Sequence, residues 1–173
     1  MIVSGKPVIL AILTVALAAA GASWWFRYSA THRAARLWGS KGARLIRDAP
    51  TVYLMKVPWP EPAGLIGPVP VETDISEARG LTHLRNALLE DRSFDWTKRD
   101  APAPENWSNT VWELRFRDGK GVQIGVIFSN DCRFAAVRDG HSEPRNVVST
   151  DPIAGGLRDF FNEIWTDAAG LQR

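Results

Sequence analysis

Residues 7–26, PVILAILTVALAAAGASWWF, hold no charged side chain between Lys6 and Arg27. Wound as a helix at about 1.5 Å per residue, this stretch is roughly 30 Å long, the thickness of the hydrocarbon core of a bilayer. Two fates fit it: a membrane-spanning anchor, or a secretory signal removed on export. Lys6 and the amino terminus form a short positive leader, and Ala18-Ala19-Ala20 and Ala20-Gly21-Ala22 both match a small-x-small cleavage site. Three features favour the anchor. The apolar run is as long as a full span, and Trp24, Trp25 and Phe26 close it where amphipathic rings prefer the headgroup level. The residues just beyond are basic, which hinders export.

The flanks set an orientation. The amino-terminal side offers Lys6 and the free amine, whereas the other side offers Arg27, Arg33, Arg36, Lys41, Arg44 and Arg47. Positive residues are retained on the cytoplasmic side, so the larger cluster predicts a domain facing the cytoplasm from the inner or plasma membrane. Cleavage near Ala22 would instead release the domain to a periplasmic or extracellular location.

Residues 31–47 also read as a helix. At 100° per residue, Arg33, Arg36, Arg44 and Arg47 share one sector with Lys41 at its edge, while Ala34, Ala35, Trp38, Leu45 and Ile46 lie opposite. Leu37 breaks the pattern, and Gly39 and Gly42 lower helix propensity. The cations are the candidate membrane-surface contacts, each contributing on the order of 1 kcal/mol on anionic headgroups. The apolar side has two possible coverings, acyl chains or the domain itself, and the second is favoured because any span of this orientation needs a basic collar.

Charge divides the chain. Residues 1–50 carry net +6 and residues 51–173 net −4, giving the overall +2. A mildly acidic globular part argues against nucleic acid as a partner. Three segments follow: an anchor at 1–30, a basic amphipathic juxtamembrane segment at 31–50, and one small domain at 51–173. The single cysteine, Cys132, excludes an intramolecular disulfide and a multi-cysteine metal site.

Within the domain, Thr51–Val57 reads as a strand that ends in the proline-rich loop PWPEPAGLIGPVP, a spacer rather than a ligand for a partner domain. Asp74 with Glu77 predicts a capped helix reaching Asp91, its stripe formed by Ala78, Leu81, Leu84 and Leu88. Arg85 falls inside that stripe, while His83 points to solvent. Ser93–Trp96 reads as a short strand, and residues 97–109 as a polar loop. Within it, Asn106-Trp107-Ser108 matches a glycosylation acceptor that matters only in a glycosylating compartment. Trp112, Leu114 and Phe116 alternate with Glu113, Arg115 and Arg117, Asp118-Gly119-Lys120-Gly121 turns the chain, and Val122, Ile124, Val126 and Phe128 return. Cys132–Val137 reads as a third strand of this meander, and Asn146–Ser149 as a short fourth. Asp151-Pro152 starts a final helix with its apolar side at Ile153, Leu157, Phe160, Phe161, Ile164, Trp165 and Ala168. Gly155 and Gly156 suggest a close approach to the sheet. The expected fold is α+β: an N-terminal transmembrane helix, then an antiparallel sheet of four to five strands with two helices on one face.

The segments ARLIRDAPTV, GLTHLRNALLEDRSFDW, LRFRDG and DPIAGGLRDFF together resemble small membrane-attached bacterial proteins of uncharacterised function. The resemblance covers most of residues 31–165 and carries no catalytic motif. It implies an anchored α+β domain and no activity.

Chemistry-bearing constellations are sparse. His32, His83 and His141 share no ligand spacing with one another or with Cys132, so no metal is expected. Cys132 and His141 form the one thiol–imidazole pair, but they flank a strand and should lie at its opposite ends. Gly119, Gly121 and Gly125 match neither a dinucleotide fingerprint nor a phosphate loop, and no cofactor is expected. Glu90, Asp91, Asp95 and Asp100 read as solvated charge at a helix end and in a loop.

The sequence therefore predicts a single-pass, membrane-anchored interaction or accessory protein, with the bilayer, anionic headgroups and an unidentified protein as partners. The alternative is an exported envelope enzyme or ligand-binding domain. The candidate partner face is the outer side of the sheet, carrying Arg115, Arg117, Gln123, Ile127, Arg133 and Val137 in simple alternation.

Overall fold

The computed structural model describes residues 5–59, 71–98, 107, 109–138 and 144–170. Most of the proline-rich loop, Asn106, Ser108 and His141 lie outside them. The fold is α+β, with a long first helix, a six-stranded antiparallel sheet, a short second helix and a C-terminal helix.

Helix α1 (Gly5–Asp48) runs through the apolar stretch and on into the basic one. It is broken once, at Gly39, whose φ of 72° and ψ of 161° lie in a region that essentially only glycine occupies. Before the break Ala34, Leu37 and Trp38 are buried; after it Ala43, Leu45, Ile46 and Ala49 are. The amphipathic segment thus covers its apolar side with the domain. Gly42 allows close approach, since a Cβ there would stand 2.5 Å from Ile124 Cδ1.

The strands are β1 (Thr51–Trp59), β2 (Thr73–Asp74), β3 (Asn109–Arg117), β4 (Gln123–Phe128), β5 (Phe134–Arg138) and β6 (Arg145–Ser149), in the order β2-β1-β3-β4-β5-β6. Strand β1 pairs along its length with β3, from Thr51 opposite Arg117 to Trp59 opposite Asn109. The β3–β4 turn is closed by Asp118, whose Oδ1 accepts the amides of Lys120 and Val122, both at 2.8 Å.

Several local expectations change. Asp74 ends β2 and accepts the amide and hydroxyl of Ser76 at 2.9 and 2.6 Å, so it forms a turn rather than a helix cap. Helix α2 begins only at Leu81 and ends at Leu89, burying Leu81, Leu84, Leu88 and Leu89. Residues Asp91–Ser93 and Trp96–Lys98 form 3-10 turns, and the expected short strand shrinks to a single antiparallel bridge between Asp95 and Ser149. Asp151 opens a 3-10 turn ahead of α3 (Ala154–Gly170), but its carboxylate bonds Arg133 and Lys98 rather than capping the helix. A Cβ at Gly155 or Gly156 would meet nothing within 4 Å, so neither marks a close approach to the sheet.

The main core lies between the sheet and the helices. It joins Val52, Leu54, Leu114, Phe116, Val126 and Phe128 to Ile46, Leu88 and Phe161. Phe161 packs on Trp112 and Phe128 at ring distances of 5.5 and 5.3 Å. A second cluster occupies the sheet's other side: Met55, Val57, Val111, Ile127, Ala136 and Val147 with Trp107. Strand alternation places Glu113 on that side too, only 2% exposed, where Arg138 donates to it at 2.8 Å. Beside it, Arg115 bridges Glu113 at 2.7 Å and Glu72 at 3.0 Å.

Candidate membrane-facing site

The two parts of α1 have opposite surroundings. Val8, Ile9, Leu10, Ile12, Leu13, Val15 and Leu17 are all more than half exposed, and Trp24 and Trp25 are each 65% exposed. The first part is long and apolar enough to cross a membrane. Such a row of exposed apolar side chains is uncommon on a water-soluble surface. From Ala34 onward the apolar side chains of the same helix enter the core.

Three polar attachments lock the second part in place. Asp91 accepts the backbone amides of Arg33 and Ala34 at 3.1 and 2.7 Å, the arrangement a carboxylate usually makes at a helix start. The Trp38 indole donates to the Leu88 carbonyl at 2.6 Å, satisfying an acceptor in the last turn of α2. Arg85 reciprocates at the end of α1, donating to the carbonyls of Ile46, Arg47 and Ala49 at 3.3, 2.7 and 2.6 Å. Its guanidinium also lies 5.8 Å from the Phe116 ring. Burial draws the pKa of Arg85 below its ordinary value, and Asp48 partly opposes this.

Arg33, Arg36, Lys41, Arg44 and Arg47 are all exposed, and none has an ion-pair partner among the described residues. Arg36 and Lys41 line a cleft at the Gly39 break with Gln123, Ile124 and Arg145, well beyond the apolar part. Arg47 is brought back by the Gly39 break to line a cleft with Trp24, Tyr28, Thr31, Glu90, Asp91 and Arg92. Trp24 and Tyr28 stack in this wall, ring centroids 5.5 Å apart and planes 14° from parallel.

The candidate partner face is not the free, flat surface that alternation suggests. Ile127 is fully buried in the second apolar cluster. Val137 lies in the main core on the opposite side of the sheet. The parity of β5 shifts because Cys132 sits in a turn at φ 59° and the strand begins at Phe134. Arg133 belongs to that turn and donates to Asp151 at 2.6 Å. Arg115, Arg117 and Gln123 do lie on the outer side. There Arg115 is tied to two glutamates, and Arg117 rests 5.0 Å from the Tyr53 ring.

Cys132, Asp95 and Asp151 are likewise engaged, while Asp100 and His141 lie outside the described residues. Cys132 is fully buried, and that burial, reinforced by Asp131, pushes its thiol up to about 12 while Arg158 acts in the other direction. A thiol held protonated and away from solvent is a poor nucleophile. Asp95 bonds Thr97 and Lys98, and these contacts hold its carboxyl below the usual range. Arg133, Lys98 and Ser149 do the same to Asp151, most strongly through Arg133. Among the described residues no group of three His, Cys, Asp or Glu side chains could hold a metal ion.

Comparison with protein-family models, curated proteins and solved structures finds no match.

The roles of Arg85 and Asp91 escape a linear reading because their partners lie 36–39 and 57–58 residues away. Arg85 did leave a trace, as a cation inside an apolar stripe. Trp107 left none, for nothing local separates a loop tryptophan that covers a sheet from one in solvent.

Proposed function

We propose that this is a single-pass membrane-anchored accessory or interaction protein whose small α+β domain is held at the bilayer surface by the second part of α1. The observation that carries this reading is the division of one helix into an apolar length exposed from residue 8 to residue 25 and a length built into the core. A water-soluble protein would leave the first part uncovered, whereas a bilayer covers it. The free cations of Arg33, Arg36, Lys41, Arg44 and Arg47 follow the span in sequence, where they favour a cytoplasmic domain, and Arg47, beside Trp24 and Tyr28, is placed for contact with anionic headgroups. The burial of Cys132 gives no support to a thiol enzyme, and the main activity proposed is placement of the domain and recruitment of a partner to it.

Membrane topology with intact mass tests the proposal. In sealed inside-out vesicles, the full-length mass should persist and a C-terminal tag should be lost to added protease. A mass that begins after Ala22, or a tag protected from protease, would overturn the anchored cytoplasmic reading and restore the exported one.

A further inference from the structure

The cleft at the junction of α1 and the domain has a size and a mixed aromatic and charged lining that suit a lipid headgroup. Its volume is about 860 Å³, within the range of small-molecule sites. Its helical wall runs from Trp24 to Thr31, about 10 Å at 1.5 Å per residue. That wall starts in the last turn of the apolar part and continues past it, the level at which a bilayer holding that part would carry its headgroup layer, roughly 5–7 Å beyond each side of the hydrocarbon core. Two of the eight lining residues are aromatic, the stacked Trp24 and Tyr28.

Four of the lining residues are charged but unevenly committed. Both Asp91 oxygens accept α1 amides, and Glu90 is paired with Arg92 Nε. Arg47 has no acidic partner among the described residues, and the terminal nitrogens of Arg92 are engaged by none of them. The positive field of the collar adds to both, since Asp48 is the sole acid in the first fifty residues.

We propose that this cleft binds the headgroup of one anionic phospholipid from the bilayer that α1 enters. Arg47 and Arg92 hold the phosphate, and Trp24 and Tyr28 support the glycerol and the upper acyl chains. The inference rests on the anchor reading and goes beyond it, because a general collar needs no defined site and no contribution from Arg92.

The test uses the full-length chain in bilayer discs of phosphatidylcholine and phosphatidylglycerol, with retained lipid counted by native mass spectrometry after release. One phosphatidylglycerol should remain, and Arg47→Gln with Arg92→Gln should weaken its retention about tenfold or more. Arg36→Gln with Arg44→Gln removes the same charge from the collar outside the cleft and should weaken retention clearly less than the cleft pair does. Equal loss in the two pairs would overturn the site in favour of diffuse collar attraction. Equal retention of phosphatidylcholine would overturn its charge basis, and displacement by soluble glycerol phosphate would make the ligand a free phosphate. Alkaline carbonate extraction separates the two readings. A chain that stays in the membrane but retains no phosphatidylglycerol defeats the cleft alone, while release of the chain defeats the anchor as well.

Discussion

Replacing Arg85 with methionine removes the donors that close the C-terminal end of α1 but keeps most of the apolar stem against Phe116. The Ala49 carbonyl, bonded at 2.6 Å, belongs to a buried residue and loses the most. A hydrogen bond from a charged donor contributes about 1.5–3 kcal/mol net. The Arg47 carbonyl is exposed, so water replaces much of that bond. The contact to Ile46 at 3.3 Å is the weakest of the three. Loss of a cation at a helix C-terminus adds about 0.3–1 kcal/mol. The expected cost of Arg85→Met is therefore roughly 2–4 kcal/mol, a fall in Tm of roughly 6–12 °C for a domain of this size. Lysine keeps the charge but lacks the planar fork, so Arg85→Lys should recover about half. Near-ultraviolet circular dichroism of the full-length chain in a mild detergent follows the melt. A methionine variant within about 0.5 kcal/mol of the parent would refute the capping role, and a lysine variant as stable as the parent would refute the need for the fork.

Gly39→Ala forces a side chain into a conformation that essentially only glycine adopts and should cost about 1–3 kcal/mol, read from the same melts. An unchanged Tm would mean that α1 turns in another way. Ile127→Asp buries a carboxylate among Met55, Val111 and Ala136, so it should cost more than about 3 kcal/mol and deplete folded protein on expression. A variant that stays folded would restore this side of the sheet as an accessible face. Cys132 should resist alkylation in the native chain and react on unfolding, as measured by mass shift after iodoacetamide. Its folded pKa of about 12 lies above the ordinary 9.0, so the unfolded thiol ionises first. This contribution to stability is complete below pH 9.0 and is lost as pH rises toward about 12, a slope that Cys132→Ala should remove.

Much of the fold was legible because its causes are local. The apolar length of α1 is an uninterrupted run, and the β3–β4 hairpin is written by alternation on either side of Asp118-Gly119. The two capping errors share one form, a carboxylate diverted from a helix start to another partner, near or far. Asp74 and Asp151 both stand where capping residues stand, yet Asp74 serves Ser76 and Asp151 serves Arg133 and Lys98. The outer side of the sheet was misjudged for a related reason. Glu113, Arg115 and Arg117 make β3 look half-solvated, but Glu113 is buried against Arg138 from β5. Alternation records which side a residue faces, and only the tertiary fold decides whether that side meets water. Of the candidate site, the cations and their exposure were readable from spacing, whereas the contribution of Arg92 to a shared cleft required the break at Gly39 and the clamp at Asp91.

That clamp bears on how the domain is mounted. A flexible tether would let the domain sample many orientations over the bilayer. Here α1 stays helical from its apolar part to Gly39, and Asp91, Trp38 and Arg85 fasten it to the domain from Arg33 onward. The orientation of the domain is then set by helix phase, which single-residue insertion can change. One alanine inserted between Ser29 and Ala30 rotates everything before it by about 100° and raises it about 1.5 Å. Trp24 and Tyr28 would swing away from Glu90, Asp91 and Arg92, while every contact from Arg33 onward is preserved. The insertion should therefore leave the Tm unchanged and abolish selective retention of phosphatidylglycerol. Retention that survives the rotation would show that the aromatic wall is not part of the site. A large loss of Tm would show that residues before Ala30 stabilise the domain, contrary to their exposure.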